Sequence, residues 1–415
     1  MLLLALAIAP GLAICIYIFY RDTHDREPAL NLIMSFVWGM LTIIPALILE
    51  LSTEGLSDKS VFGIIFSAFV LVGLAEEFSK YLALRYYAFS RKSFDEPLDG
   101  IIYGVMVSMG FATLENVMYS LSYGLPTALM RMFTAVPAHA TFGILMGYYI
   151  GKAKFDFVKR KRLLFSAVAA PTVAHGFYDA FLFMRENTWI EKYVSRGAAD
   201  LFLFVGALAS LVVSVIFSRR LIKMHRATSA QLYFNNPVLT IRHATVSDVE
   251  LIRTLALQIW PKTYEKILDQ KQIRYMMELM YSEEALREQI EKGAQFIIVY
   301  NAGFPIGFAS YSEIESSVYK LHKIYVLHKQ QGRGCGRFVI GQVIADIEPK
   351  GASVLRLNVN RYNAAKGFYE KLGFEVVGSE DVDIGNGYFM NDFVMEKRLQ
   401  VGEGSSVLRE NFQAN

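Results

Sequence analysis

The 415-residue chain predicts a polytopic α-helical membrane domain of about seven spans, followed by a soluble mixed α/β domain. Three observations predict this. Long apolar runs crowd into residues 1–218, at about 2–20, 30–49, 60–84, 100–123, 127–151, 163–184 and 198–218, each long enough to cross a bilayer as a helix. From residue 238 the pattern changes to short β-branched runs alternating with helical periodicity. Seven ionisable side chains, Glu76, Glu77, Lys80, Glu115, His139, His175 and Asp179, lie inside four consecutive apolar runs. A charge at bilayer depth costs at least about 2.5–3.5 kcal/mol, so such a set marks a functional site facing a shared interior.

The first run lacks a basic flank and leads directly into further spans, so it reads as a retained helix. Lys and Arg concentrate in alternate loops: Arg21 and Arg26, Arg91 and Lys92, six residues within 152–162, and four within 219–226. The intervening loops hold only Lys59, Arg185, Lys192 and Arg196. This bias puts the N-terminus outside and the C-terminal domain in the cytoplasm. Residues 219–237 read as a basic linker and 400–415 as a disordered tail. Cys15 and Cys335 are the only cysteines and fall in different domains, so no disulfide framework is supported. A net charge of +3 argues against a nucleic-acid partner.

In the soluble part, 238–399, strands are expected at Leu239–Ala244, Gln295–Tyr300, Pro305–Ser312, Leu321–Leu327, Ser353–Val359 and Phe389–Arg398. Helices are expected at Ser247–Gln258, after Gly336 to about Ile347, and at Ala364–Leu372.

In the third run, Glu76-Glu77-x-x-Lys80 places the lysine one turn from both carboxylates. One carboxylate can be neutralised while the other accepts a proton from water. Glu115 stands mid-run without a basic neighbour one turn away. It must be protonated, paired across helices or metal-bound. His139 follows Pro137 in the fifth run. In the sixth, His175-x-x-x-Asp179 puts an imidazole and a carboxylate on one helix face, where Asp179 can orient the ring.

Together with Asp22–Pro28 in the first loop and Phe111-x-x-x-Glu115-Asn116, these motifs resemble the PrsW family of intramembrane proteases, relatives of the CAAX prenyl endopeptidases. The resemblance spans roughly 1–220. It implies cleavage of a membrane protein substrate in the bilayer of a bacterial plasma membrane. Glu76 or Glu77 would activate a water, and His139 and His175 would ligate a metal or stabilise the oxyanion. Glu115, His139, His175 and Asp179 offer oxygen and nitrogen ligands for a divalent metal such as zinc. A metal-free glutamate mechanism is the alternative. A non-proteolytic scaffold or sensor, or a transporter-like domain, is the rival reading of the spans.

Gln331-Gly332-Arg333-Gly334-Cys335-Gly336 follows a strand and opens a helix, which brings backbone N–H groups close to a phosphate. With Asn363-Ala364-Ala365 and Phe368-Tyr369-Glu370-Lys371-Leu372-Gly373-Phe374, it resembles the GNAT acyltransferases over about 238–399. The resemblance implies acetyl transfer from acetyl-CoA to an amine acceptor, a small molecule or a protein. Tyr369 would be the general acid for the departing thiolate. Backbone amides at Tyr325, Val326 and Leu327 would polarise the thioester, and Asn363 would contact the pantetheine. Glu313 and Tyr325 are candidates for the general base.

Overall fold

The computed structural model describes the chain except residues 1, 22–25, 54, 57, 59, 92, 157–158, 187–194, 234–235 and 400–415. The expected disordered tail and part of the Asp22–Pro28 motif therefore lie outside the described residues. Two compact units are present, Met1–Ala230 and Gln231–Asn415.

The first unit is helical: α1 (Leu2–Arg21), α2 (Ala29–Leu41), α3 (Ile43–Thr53), α4 (Val61–Phe66), α5 (Ala75–Tyr86), α6 (Pro97–Tyr123), α7 (Leu125–Phe133), α8 (Ala135–Phe155), α9 (Arg160–Phe183) and α10 (Arg196–Tyr233). Among the described residues, six segments are long and apolar enough to cross a membrane: Leu2–Arg21, Ala29–Thr53, Val61–Ser90, Pro97–Tyr123, Leu125–Phe155 and Arg196–Tyr233. The remaining expected span is α9, a 24-residue helix. Pro171, His175, Tyr178 and Asp179 lower its mean hydropathy, and His175 and Asp179 belong to the polar cluster described below. The basic stretch read as a linker is helical as far as Tyr233.

Helix α6 is the hub, packed against α1, α2 and α8. Glycine makes the α6–α8 contact possible. A Cβ on Gly104 would lie 2.4 Å from the Gly143 carbonyl oxygen, and one on Gly147 would lie 2.1 Å from that of Gly100. Gly100-x-x-x-Gly104 thus meets Gly143-x-x-x-Gly147, the small-residue spacing that lets membrane helices approach closely. Between α4 and α5, Ser67–Leu74 is a π-helical segment. Such a widened turn is common beside functional groups, and here it ends just before Glu76 and Glu77. Gly176 lies where a Cβ would strike the Phe69 ring at 2.4 Å, so α9 sits directly against this segment.

The second unit carries a seven-stranded sheet: β1 (Leu239–His243), β2 (Gln295–Asn301), β3 (Phe304–Glu315), β4 (Val318–Val326), β5 (Val354–Asn360), β6 (Glu375–Gly385) and β7 (Tyr388–Arg398), in the order β1-β2-β3-β4-β5-β7-β6. Only β4 and β5 pair in parallel, and their register covers Val318–Leu321 against Val354–Leu357. Beyond that the two strands separate. One face of the sheet is covered by α11 (Val249–Tyr264), α12 (Gln270–Tyr281) and α13 (Glu283–Glu291), and the other by α14 (Cys335–Ile347) and α15 (Lys366–Lys371). The hairpin between β2 and β3 turns through Ala302 (φ 50°) and Gly303 (φ 81°). Strand β6 and helices α12 and α13 are additions to the sequence-based outline.

Candidate active sites

In the helical unit, α5, α6, α8 and α9 bring all seven sequence-predicted residues together. The Lys80 ammonium, fully buried, donates to Glu76 Oε2 at 3.0 Å and Glu77 Oε1 at 2.7 Å. It also lies 3.2 Å from His139 Nδ1 and 4.0 Å above the Phe111 ring. A lysine that donates to Nδ1 requires the ring hydrogen on Nε2. That nitrogen faces Glu115 Oε2 at 2.9 Å, which fixes the His139 tautomer. Glu115 is itself held by Arg131 Nη2 at 2.8 Å, from α7.

His175 has a carboxylate on each ring nitrogen. Nε2 lies 3.1 Å from Asp179 Oδ2, and Nδ1 lies 3.0 Å from Glu77 Oε1. Two acceptors facing one ring require either an imidazolium or a cation shared at Nδ1. The His175 ring stacks on Phe142 at 4.7 Å and meets His139 edge-on at 5.3 Å.

The side chains that could hold a metal differ from the expected set. Ligand atoms of Glu76, Glu77, His139 and His175 lie within 4.8 Å of one another. Glu115 and Asp179, expected as ligands, instead hold the outer nitrogens of the two histidines. Each reaches its histidine from the side away from the glutamate pair and orients the ring. The residues fit a divalent ion on two grounds. Glu77 Oε2 is buried without a hydrogen-bond partner. Among the described residues, three buried carboxylates, Glu76, Glu77 and Asp179, and the half-buried Glu115 face two permanent cations, Lys80 and Arg131. Buried charge of that imbalance is costly unless further positive charge is present.

In the sheet unit, a cavity of about 470 Å³ opens where β4 and β5 separate. A bulge in β4 at His322 shifts the register between Leu321 and Lys323. It turns Tyr325 toward α11, where its hydroxyl accepts from Trp260 Nε1 at 3.0 Å and lies 3.4 Å from that of Tyr264. Tyr325, Val326, Gln331, Gly332, Cys335, Gly336, Asn363 and Tyr369 all line the cavity, as the sequence predicts. Gly334 (φ 82°) is the N-cap of α14 and gives the loop its left-handed turn. Tyr369 is buried, and desolvation pushes its phenol well above the usual tyrosine range.

Three expectations change. The Leu327 N–H donates to the Ile306 carbonyl at 2.8 Å, so it is committed to backbone pairing rather than to a thioester. Arg333 donates to the Leu232 carbonyl and to Gln330 Oε1, which caps the last turn of α10 instead of facing a phosphate. Glu313 accepts from the Ser317 N–H at the β3–β4 turn and is not among the cavity residues. Gly336 is required by packing as well, since a Cβ there would lie 2.7 Å from Phe368 Cζ.

Residues 27–213 match the family described as PrsW family intramembrane metalloprotease. Protease PrsW of Geobacillus kaustophilus is 37% identical over 187 residues, 45% of this chain and 81% of that protein. The chain belongs to the PrsW family. Protease PrsW of Clostridioides difficile is 40% identical over 194 residues, again 45% of this chain and 81% of that protein. Residues 265–396 match the acetyltransferase (GNAT) domain, so the PrsW domain is joined to a transferase domain. Spermidine N(1)-acetyltransferase of Thermoplasma acidophilum is 27% identical over 166 residues, 39% of this chain and 97% of that protein. A crystal structure of an N-acetyltransferase from the same organism in complex with coenzyme A aligns at 26% identity and a TM-score of 0.34, covering 39% of this chain and 99% of that one.

Two contributors to the PrsW site escaped the sequence reading. Arg131 lies outside the recognised motifs, although a lone arginine in an amphipathic nine-residue helix was a visible signal. Glu50, half-buried on α3, acts electrostatically on the same centre as Glu76, Glu115, His175 and Lys80.

Proposed function

We propose that the helical unit hydrolyses a peptide bond of a membrane protein within the bilayer, and that the sheet unit transfers an acetyl group from acetyl-CoA to an amine on the cytoplasmic side of a bacterial plasma membrane. The observation that carries the first part is the convergence of Glu76, Glu77, Lys80, His139 and His175 from three helices. Glu77 accepts from both Lys80 and His175. Glu76 is held by Lys80 alone and lies 4.0 Å from His175 Nδ1, so its carboxylate is the freer of the pair. Glu76 is thus the general base that takes a proton from the attacking water and later delivers it to the departing amine. Lys80 places positive charge beside the position where the oxyanion develops, and Glu115 and Asp179 hold the two imidazoles in place around it. Glu76, Glu77, His139 and His175 would hold a divalent ion such as zinc, which supplies Lewis-acid polarisation and a more acidic water when bound.

In the transferase, the phosphate loop and the start of α14 receive the cofactor's pyrophosphate. The acceptor amine attacks the thioester directly, and Tyr369, protonated through the working pH range, donates to the leaving thiolate. The loop charge bias, with basic residues flanking alternate spans, supports a cytoplasmic transferase.

The test is cleavage of a single-span reporter by the purified full-length chain, alongside its bound metal. Wild type should cleave and retain a divalent ion, and His175→Ala should lose both. A His175→Ala variant that cleaves at the wild-type rate overturns the site.

A further inference from the structure

Arg131 is the one charged residue of α7, and its guanidinium engages three side chains of α6. Nη2 lies 2.8 Å from Glu115 Oε2, and Nε donates to Asn116 Oδ1 at 3.1 Å. The guanidinium carbon sits 4.1 Å from the centre of the Tyr119 ring. These partners stand at i, i+1 and i+4 of one helix, so a planar fork reaches all three at once, which a point charge on a flexible stem does not. Asn116 in turn donates to the Ala7 carbonyl of α1 at 2.9 Å.

The rest of α7 is lightly held. Gly124 (φ 80°) and Thr134 (φ −121°, ψ −75°) interrupt the helical backbone at its two ends, and Ala128 is its one buried residue. Leu129, Met130 and Phe133 are exposed. Arg131 therefore fixes where α7 sits against α6.

The oxygen that Arg131 meets is also the one that His139 uses. Glu115 Oε2 lies 2.8 Å from Arg131 Nη2 and 2.9 Å from His139 Nε2, so a single carboxylate oxygen bridges a guanidinium and an imidazole. A carboxylate held by two donors cannot turn without losing both bonds, and linked bonds of this kind support one another. The contacts continue from His139 Nδ1 to Lys80 at 3.2 Å, and from Lys80 to Glu76 and Glu77.

On the protease reading above, we propose that Arg131 is a positioning residue of that site. Arg131 holds Glu115, Glu115 holds the His139 ring with its hydrogen on Nε2, and Nδ1 is thereby kept facing Lys80. Helix α7 is then part of the catalytic centre and not only a connector between α6 and α8. A role confined to pinning α7 on α6 gives different kinetics, because its loss would act independently of Glu115.

The experiment measures kcat and KM for cleavage of a single-span reporter by the purified full-length protein in detergent, with thermal unfolding recorded on each preparation. Wild type, Arg131→Met, Glu115→Gln and the double variant are compared. Arg131→Met should lower kcat by about ten-fold at unchanged KM, the lower end of the loss expected for partners behind a working histidine. The double variant should stay within about three-fold of Glu115→Gln alone, because both changes cut one path. Wild-type kcat in Arg131→Met overturns the inference, as does a raised KM with kcat unchanged, which would make α7 a substrate-docking element only. Removing one member of an ion pair away from bulk water leaves the other charge uncompensated. If Arg131→Met does not fold for that reason, the double variant, which removes both charges, decides. A kcat more than about three-fold below that of Glu115→Gln then overturns the inference. Absence of cleavage by wild type is a separate outcome: it overturns the protease reading, and the role of Arg131 with it.

Discussion

His175 is the residue on which the protease site turns, because both of its ring nitrogens are committed. Asp179 Oδ2 orients the ring at Nε2, and Glu77 Oε1 lies against Nδ1. Asp179→Asn keeps the shape of the partner and removes its charge. It should lower metal affinity or cleavage by about 10–100-fold, as outer partners of liganding histidines do. Bound metal and reporter cleavage measured on one preparation check this, and unchanged values would show that Asp179 only fills space. In the other unit, Tyr369→Phe should reduce the rate of acetyl transfer by roughly 10²-fold with little change in the KM for acetyl-CoA. Burial raises this phenol, so its proton-donating form is the one present at low pH and persists beyond the usual tyrosine value of about 10. A wild-type kcat that does not fall between pH 7 and 10 is expected. A fall near pH 8 would assign the acid role elsewhere.

At the level of elements, the site depends on how closely α6 and α8 approach, since α6 carries Glu115 and α8 carries His139. Gly147→Leu would place side-chain atoms where the Gly100 carbonyl lies, so overpacking of at least about 1–3 kcal/mol is expected. Thermal unfolding in detergent should show the loss, and cleavage should fall with it; retained stability would mean the two helices can separate freely. Both glycine repeats are plain in the sequence, as are the motifs that placed seven polar residues in one centre. What the motifs could not show is which carboxylate faces which nitrogen. The i,i+4 spacing of His175 and Asp179 fixes their pairing, but the roles of Glu115 and Asp179 behind the histidines depend on contacts between helices. In the sheet unit the buried strands were legible from their apolar runs. Strand β6 was not, because it is an exposed edge rich in Glu and Asp, a composition that guards an edge rather than building a core. Helices α12 and α13 did carry start signals. Asp269 accepts from the Lys271 and Gln272 N–H groups, and Ser282 accepts from that of Ala285.

For the whole molecule, two chemistries reside in two compact units of one chain. Either should be lost by substitution without loss of the other. Gly334 adopts φ 82°, which a β-branched residue adopts only under strain. Gly334→Val should weaken acetyl-CoA binding several-fold by calorimetry and leave reporter cleavage intact; normal affinity would remove the phosphate loop from the cofactor site. The most direct test of the central claim is the complementary variant, Glu76→Gln, with cleavage of a transmembrane reporter and acetyl-CoA affinity measured on the same full-length preparation. Cleavage should disappear while acetyl-CoA affinity stays at the wild-type value. Cleavage within a few-fold of wild type would contradict it.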